Sequence, residues 1–128
     1  MTRGRRDDAG SAVVDFVLVL LVLVPFVLGV VQVALVLHVR NTLAAAAAEG
    51  ARYAATADRS GSDGGAVTQE QVEDAISSRF ARDVSVSRTT VGGRPTVVVT
   101  VRATVPALGI GGPGVALEVS GHAVEEEP

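Results

Sequence analysis

Few residues in this chain could do chemistry. Two histidines, His38 and His122, are the whole imidazole inventory, and there is no cysteine. That removes disulfides, thiolate metal sites and thiol nucleophiles. It leaves the compartment open, because extracytoplasmic proteins need not carry disulfides. Ser120 and His122 stand two apart, on one face of a strand. An acid to complete a triad can be found in any sequence, so the pair is not specific. Metal-ligand spacing is missing. Gly92-Gly93 joins two strand-like stretches instead of a strand to a helix, so it is no phosphate loop. The sequence therefore predicts no enzyme, no cofactor, no metal and no small-molecule substrate. A net charge of −3 gives no ground for a nucleic-acid partner.

One peptide bond and one acid remain. Gly10-Ser11 closes a short polar leader, MTRGRRDDAG, and glycine lets a protease approach the backbone closely. Asp15 follows, then Phe16, and from Phe16 to Leu37 every residue is apolar except Gln32. A carboxylate inside an apolar helix costs about 2.5–3.5 kcal/mol at a bilayer centre and less near its edge. On the residues alone, two readings stand. Asp15 can simply mark where the membrane segment begins. If instead the chain is cut after Gly10, the new ammonium of Ser11 and the Asp15 carboxylate can neutralise each other, within or between subunits of a helical bundle.

The element that positions these groups is a membrane helix. A bilayer core takes about 20 helical residues, and Phe16 to Leu37 suffices with some tilt. No core helix of a small soluble protein would be apolar all round. Arg3, Arg5 and Arg6 precede the segment, against Arg40 behind it, so the N-terminus is expected in the cytoplasm and everything after His38 outside. Pro25 predicts a local kink. Gly29 and Ala34 permit close helix approach without forming a GxxxG pair. Gln32 reads as a polar residue near the outer interface, the alternative being a hydrogen bond to a neighbouring helix. Alanine is the strongest helix former, so LAAAAAEGARYAATA should extend the helix, from about Ala12 to Ala57, roughly 70 Å at about 1.5 Å per residue. Within it Gly50 marks a packing contact, and Glu49 and Arg52 can pair on the surface.

Gly10, Asp15-Phe16, the apolar helix with Pro25 and Gly29, and then VRNTLAAAAAEGARYAA (Val39 to Ala55) resemble the TadE-like family, minor pilins or pseudopilins of the Tad (Flp) type IV pilus machinery. The run Arg40-Asn41 through Glu49-Gly50-Ala51-Arg52 is the most specific part. The resemblance implies cleavage between Gly10 and Ser11 by a prepilin peptidase, and partnership with other pilins and pilus assembly proteins in the membrane. It also departs from the family. The acid five residues past the cleavage point is usually Glu and here is Asp15, one methylene shorter. A second acid commonly follows the membrane glycine, where this chain has Gln32.

Beyond the helix, Asp58 to Ala66 (DRSGSDGGA) reads as a loop. A short helix is expected next, with Thr68 as N-cap, Gln71 completing a capping box, and Val72, Ile76 and Phe80 on one face, ending near Arg82. Val84 to Ser87 alternates, and Gly92-Gly93-Arg94 is a turn. Thr96 to Val105 places Val97, Val99, Val101, Ala103 and Val105 on one face. Pro106 to Gly114 is loop, and Val115, Leu117 and Val119 form a third strand. The expected fold class is α+β: a long N-terminal transmembrane helix, then a small pilin-like head in which a short helix lies on a three-stranded antiparallel sheet. The expected division is leader 1–10, transmembrane helix 11–38, extracytoplasmic helix 39–57 and head 58–128 with an acidic tail. Two other functions fit the same anchor. One is an uncleaved single-pass binding module. The other is a secretory signal cut in Leu43 to Ala48, although the apolar run exceeds the 7–15 residues of such a signal.

Overall fold

The computed structural model describes residues 4–56, 60–75, 83–108 and 111–125. One helix, α1 (Gly4–Ala55), runs unbroken through Pro25. It begins inside the leader, not near Ala12. No proline stands between Gly4 and Ser11, arginine is a good helix former, and a helix once nucleated needs only propagation to extend. Its end falls at Ala55, slightly short of the expected Ala57.

The second helix corrects the sequence reading. Helix α2 (Gly61–Ala75) takes in most of the Gly/Ser/Asp stretch expected as loop. Its cap is Ser60, not Thr68. The Ser60 backbone N–H donates to Asp63 Oδ2 at 2.8 Å, and the Asp63 N–H donates to Ser60 Oγ at 3.3 Å. This is a reciprocal capping box with Asp in the third position. Thr68 lies mid-helix and fully buried, its hydroxyl 2.9 Å from the Gly64 carbonyl and 3.4 Å from that of Ala46 on α1. Val72 is buried as expected. Ile76, Phe80 and the predicted end at Arg82 lie outside the described residues.

Three strands follow: β1 (Asp83–Val91), β2 (Arg94–Val105) and β3 (Val115–Val124). They form an antiparallel meander in the order β1-β2-β3, as the alternation predicts. Val91 pairs with Arg94 across a two-residue turn. Gly92 and Gly93 have φ of 59° and 80°, the left-handed conformation that such a turn needs at both positions. Val97, Val99, Val101 and Val105 are fully buried and Ala103 partly so, giving β2 the single inward face read from the sequence. Thr96, expected on the polar face, is buried too, its hydroxyl bonded to the Arg94 carbonyl.

The second half of α1 completes this core. Val39, Leu43, Ala46, Ala47, Ala51 and Ala54 are buried on the face that meets α2 and the sheet. Small side chains there let backbones touch. A Cβ on Gly50 would sit 1.7 Å from Thr68 Oγ1 and 2.6 Å from the Gly64 carbonyl oxygen. Reciprocally, a Cβ on Gly64 would lie 2.5 Å from the Gly50 oxygen. On the other side, a Cβ on Gly121 of β3 would meet the α1 backbone between Ala47 and Ala48 at 2.3 Å. The packing contact expected at Gly50 is thus present, and Gly64 explains the misread loop: its glycine serves an approach between helices and not a turn.

These clashes set the cost of filling each glycine. Gly121→Ala should destabilise the head by at least about 1–3 kcal/mol, the usual range for overpacking, since the obstructing atoms are backbone and cannot rotate away. Gly50→Ala should lose somewhat less, because alanine returns about 1 kcal/mol of helix propensity. Gly29→Ala, with nothing near the added methyl group, should be neutral or stabilising. Amide hydrogen exchange of β2 in the purified protein measures all three.

Candidate functional site: the bare helix and its junction with the head

From Gly10 to Val31 every residue of α1 is exposed on all sides. This bare segment is roughly 33 Å long at about 1.5 Å per residue, close to the ~30 Å of a bilayer core. The helix around it reaches a mean hydropathy of 2.9 over 18 residues, enough in length and composition to cross a membrane. Phe16, Leu21, Val22 and Phe26 are each more than 60% exposed, a state water would oppose by about 25 cal/mol for every Å² of apolar surface. The bare segment is built to be covered by something apolar.

Asp15 is the one ionisable side chain in this segment. Ser11 and Asp15 are four apart in a continuous helix, so they share a face one turn apart. Both are exposed, as is Gly10, whose position has open space around it. The Gly10-Ser11 bond lies within α1, so a protease acting on it must first unwind the local turn, which is easiest near a helix end.

The remaining motif residues divide sharply. Arg40, Asn41, Glu49 and Arg52 point to solvent, whereas Gly50 and Ala51 are buried under α2 and the sheet. Glu49 and Arg52 pair at 3.5 Å with both side chains more than half exposed, where solvent screening leaves at most a few tenths of a kcal/mol. Half of the motif therefore packs the head and half faces outward. The alanine run also lies in the head's core, so a cut in Leu43 to Ala48 would remove part of the surface on which the sheet folds.

Gln32 has partners that the sequence did not reveal. Its Nε2 donates to the Pro106 carbonyl at 3.2 Å, and its Oε1 accepts the Leu108 N–H at 2.7 Å. The amide side chain thus satisfies both backbone groups of the β2–β3 loop where it meets α1. Above it Leu35 and Val36 begin to pack on the head core, and Val39 is fully buried. The head grips the helix from residue 32 upward, lower than a boundary at His38 suggests. A lone glutamine in an apolar run was visible in the sequence, but its partners are 74 and 76 residues away.

Elsewhere the sheet is decorated by ion pairs. Arg102 and Glu118 stand opposite each other on β2 and β3, 2.6 Å apart. The Glu118 carboxylate, by hydrogen bond and charge, raises the already high pKa of the Arg102 guanidinium. Arg88 pairs with Glu125. Ser120 and His122 lie exposed on the outward sheet face, opposite Thr100 and Val98. An open groove of about 700 Å³ between α2 and β1 is lined by Gln69, Val84, Val86 and Arg88 among others. Arg88, its one charged group, is already engaged by Glu125.

Residues 10–52 match the family model described as TadE-like protein, the family suspected from the motif. The matched stretch covers Gly10, Asp15, the bare helix and the EGAR run, and stops before α2. The match covers about a third of the chain and lies wholly within α1. No curated protein and no solved structure matches the chain.

Gln32→Ala leaves the Pro106 carbonyl and the Leu108 N–H without their side-chain partner. Each such bond contributes about 0.5–1.5 kcal/mol when kept from water and less when exposed. The substitution should weaken the attachment of the loop to α1 by about 1 kcal/mol, a local opening that speeds amide exchange at Leu108 while leaving β1 unchanged. Unaltered exchange at Leu108 would show that the loop is held by packing alone.

Proposed function

We infer from the TadE-like match over residues 10–52 that this chain is a minor pilin or pseudopilin of a Tad (Flp)-type pilus assembly system. The observation that carries this reading is the placement of Asp15 on an otherwise wholly apolar, bare helix, one turn from Ser11 and five residues past Gly10. A prepilin peptidase cuts between Gly10 and Ser11. The mature helix joins other pilins and assembly proteins, with the leader arginines holding the N-terminus in the cytoplasm and the head outside.

The physical logic runs through the membrane. Lipid supplies no hydrophobic drive between helices, so packing and polar pairs must choose partners. Before cleavage Asp15 is a cost to the helix. After cleavage the ammonium of Ser11 can neutralise it, and the pair fixes register between subunits. Asp15 near the N-terminus of the shortened helix is also favoured by the helix dipole.

Processing gives the first test. With the cognate peptidase, the wild-type protein should begin at Ser11 by N-terminal sequencing, and Gly10→Val should keep its leader. Normal processing of Gly10→Val would sink the prepilin reading. An intact N-terminus on the wild-type protein would favour the uncleaved anchored module.

Assembly gives the second. Asp15→Ala and Asp15→Asn should insert and be cleaved normally yet lose crosslinking to partner pilins. Removing one member of a buried pair costs about 3–5 kcal/mol, whereas removing a mere boundary acid costs nothing. Asp15→Glu should retain association. Wild-type crosslinking by both neutral variants would reduce Asp15 to a boundary residue.

A further inference from the structure

The β2–β3 loop is tied to α1 at one depth, where the bare helix ends. Gln32 holds Pro106 and Leu108 there. If residues 10–31 fill the hydrocarbon core, residues 106–108 must lie at its outer surface. We propose that Pro106, Ala107 and Leu108, with Val115 on the strand end beside them, form a second membrane contact: an apolar foot that rests in the lipid interface. The proposal rests on the reading that α1 spans a bilayer.

Three observations choose lipid as the occupant. First, the chain from Ala103 to Leu117 contains no charged residue. Second, its apolar side chains at that end are left open. Leu108 is 41% and Val115 40% exposed, and Pro106 and Ala107 are exposed with them. Val33 and Leu37, on the adjoining turns of α1, stay exposed as well. Third, the charges are set back. Asp83, Arg102 and Glu118 form one row across the three strands. Arg102 and Glu118 lie three residues up their strands from Val105 and Val115, about 10 Å at about 3.3 Å per residue. The headgroup region is roughly 5–7 Å deep on each side of the core. An apolar loop at the core boundary thus leaves the charged row beyond the headgroups, in water. The foot is wet only if the helix is not in a membrane.

The absence of cysteine makes the test clean. Leu108→Cys, Val22→Cys and Thr89→Cys each give the full-length chain one site for a polarity-sensitive fluorophore. Val22 reports the middle of the bare helix, and Thr89 the far end of the head. Each protein is reconstituted in phosphatidylethanolamine–phosphatidylglycerol vesicles carrying a quencher either at the headgroup or deep in the acyl chain. The expected result is deep quenching at Val22, and headgroup-level quenching at Leu108 several-fold above that at Thr89. In a Gln32→Ala background the Leu108 signal should fall toward the Thr89 level. Quenching at Val22 with Leu108 no different from Thr89 overturns the foot and leaves the spanning reading intact. Failure to quench Val22 overturns both. A shielded Leu108 label that neither lipid quencher reaches would assign this surface to protein contact and overturn the proposal.

Discussion

The structure depends on two places where backbone meets backbone. Gly50 against Gly64 brings α2 onto α1, and Gly121 brings β3 onto the same helix at Ala47 and Ala48. The first contact needs a missing side chain on both partners, the second a missing one on Gly121 and small ones on Ala47 and Ala48. Together they let a single helix face of alanines serve as the floor for both α2 and the sheet. A floor of leucines would bury more surface per residue, but it would hold these elements too far away for the Thr68 hydroxyl to reach the Ala46 carbonyl. Proximity, not bulk, holds this small head together, and the valines of β2 supply the larger side chains above it.

That arrangement explains the composite character of the Glu49-Gly50-Ala51-Arg52 run. Its glycine and alanine are structural, fixed by what lies on top of them. Its glutamate and arginine are solvated and make only a surface pair. A TadE-like match that ends at residue 52 therefore covers the helix and the floor of the head, but not the elements built on that floor.

Much of this was legible in the sequence. Period-two alternation in Thr96 to Val105 and Gly92-Gly93 between two such runs gave the meander, because strand faces and two-residue turns are local properties. A helix long and apolar enough to cross a membrane was legible for the same reason. What failed was tertiary in origin. Gly64 and Gly65 looked like loop residues because glycine signals both turns and close approach, and only α1 decides between them. Thr68 looked like a cap because threonine suits both a helix start and a buried hydroxyl that finds a carbonyl. The Ser60-Gly61-Ser62-Asp63 box was available as a signal, but the glycines after it argued the other way. The partners of Gln32 could not be named without knowing which loop returns to it. For the candidate site, the positions of Gly10, Ser11 and Asp15 were legible because the helix is continuous there, while the grip of the head on the helix was not.

The junction at Gln32 also bears on how the molecule is made. Its partners lie 74 and 76 residues later in the chain, and Ala47 waits for Gly121 of the last strand. Contacts of such long sequence separation form slowly, since the entropy of closing the loop is spent before the contact rewards it. The stretch of α1 around Ala47 and Ala48 therefore emerges first and waits for its cover until β3 has been synthesised. A helix long enough to be held in the membrane offers a remedy: it immobilises one wall of the core while the other is still being delivered. If α1 spans a membrane, it is a folding template for the head before it is anything else.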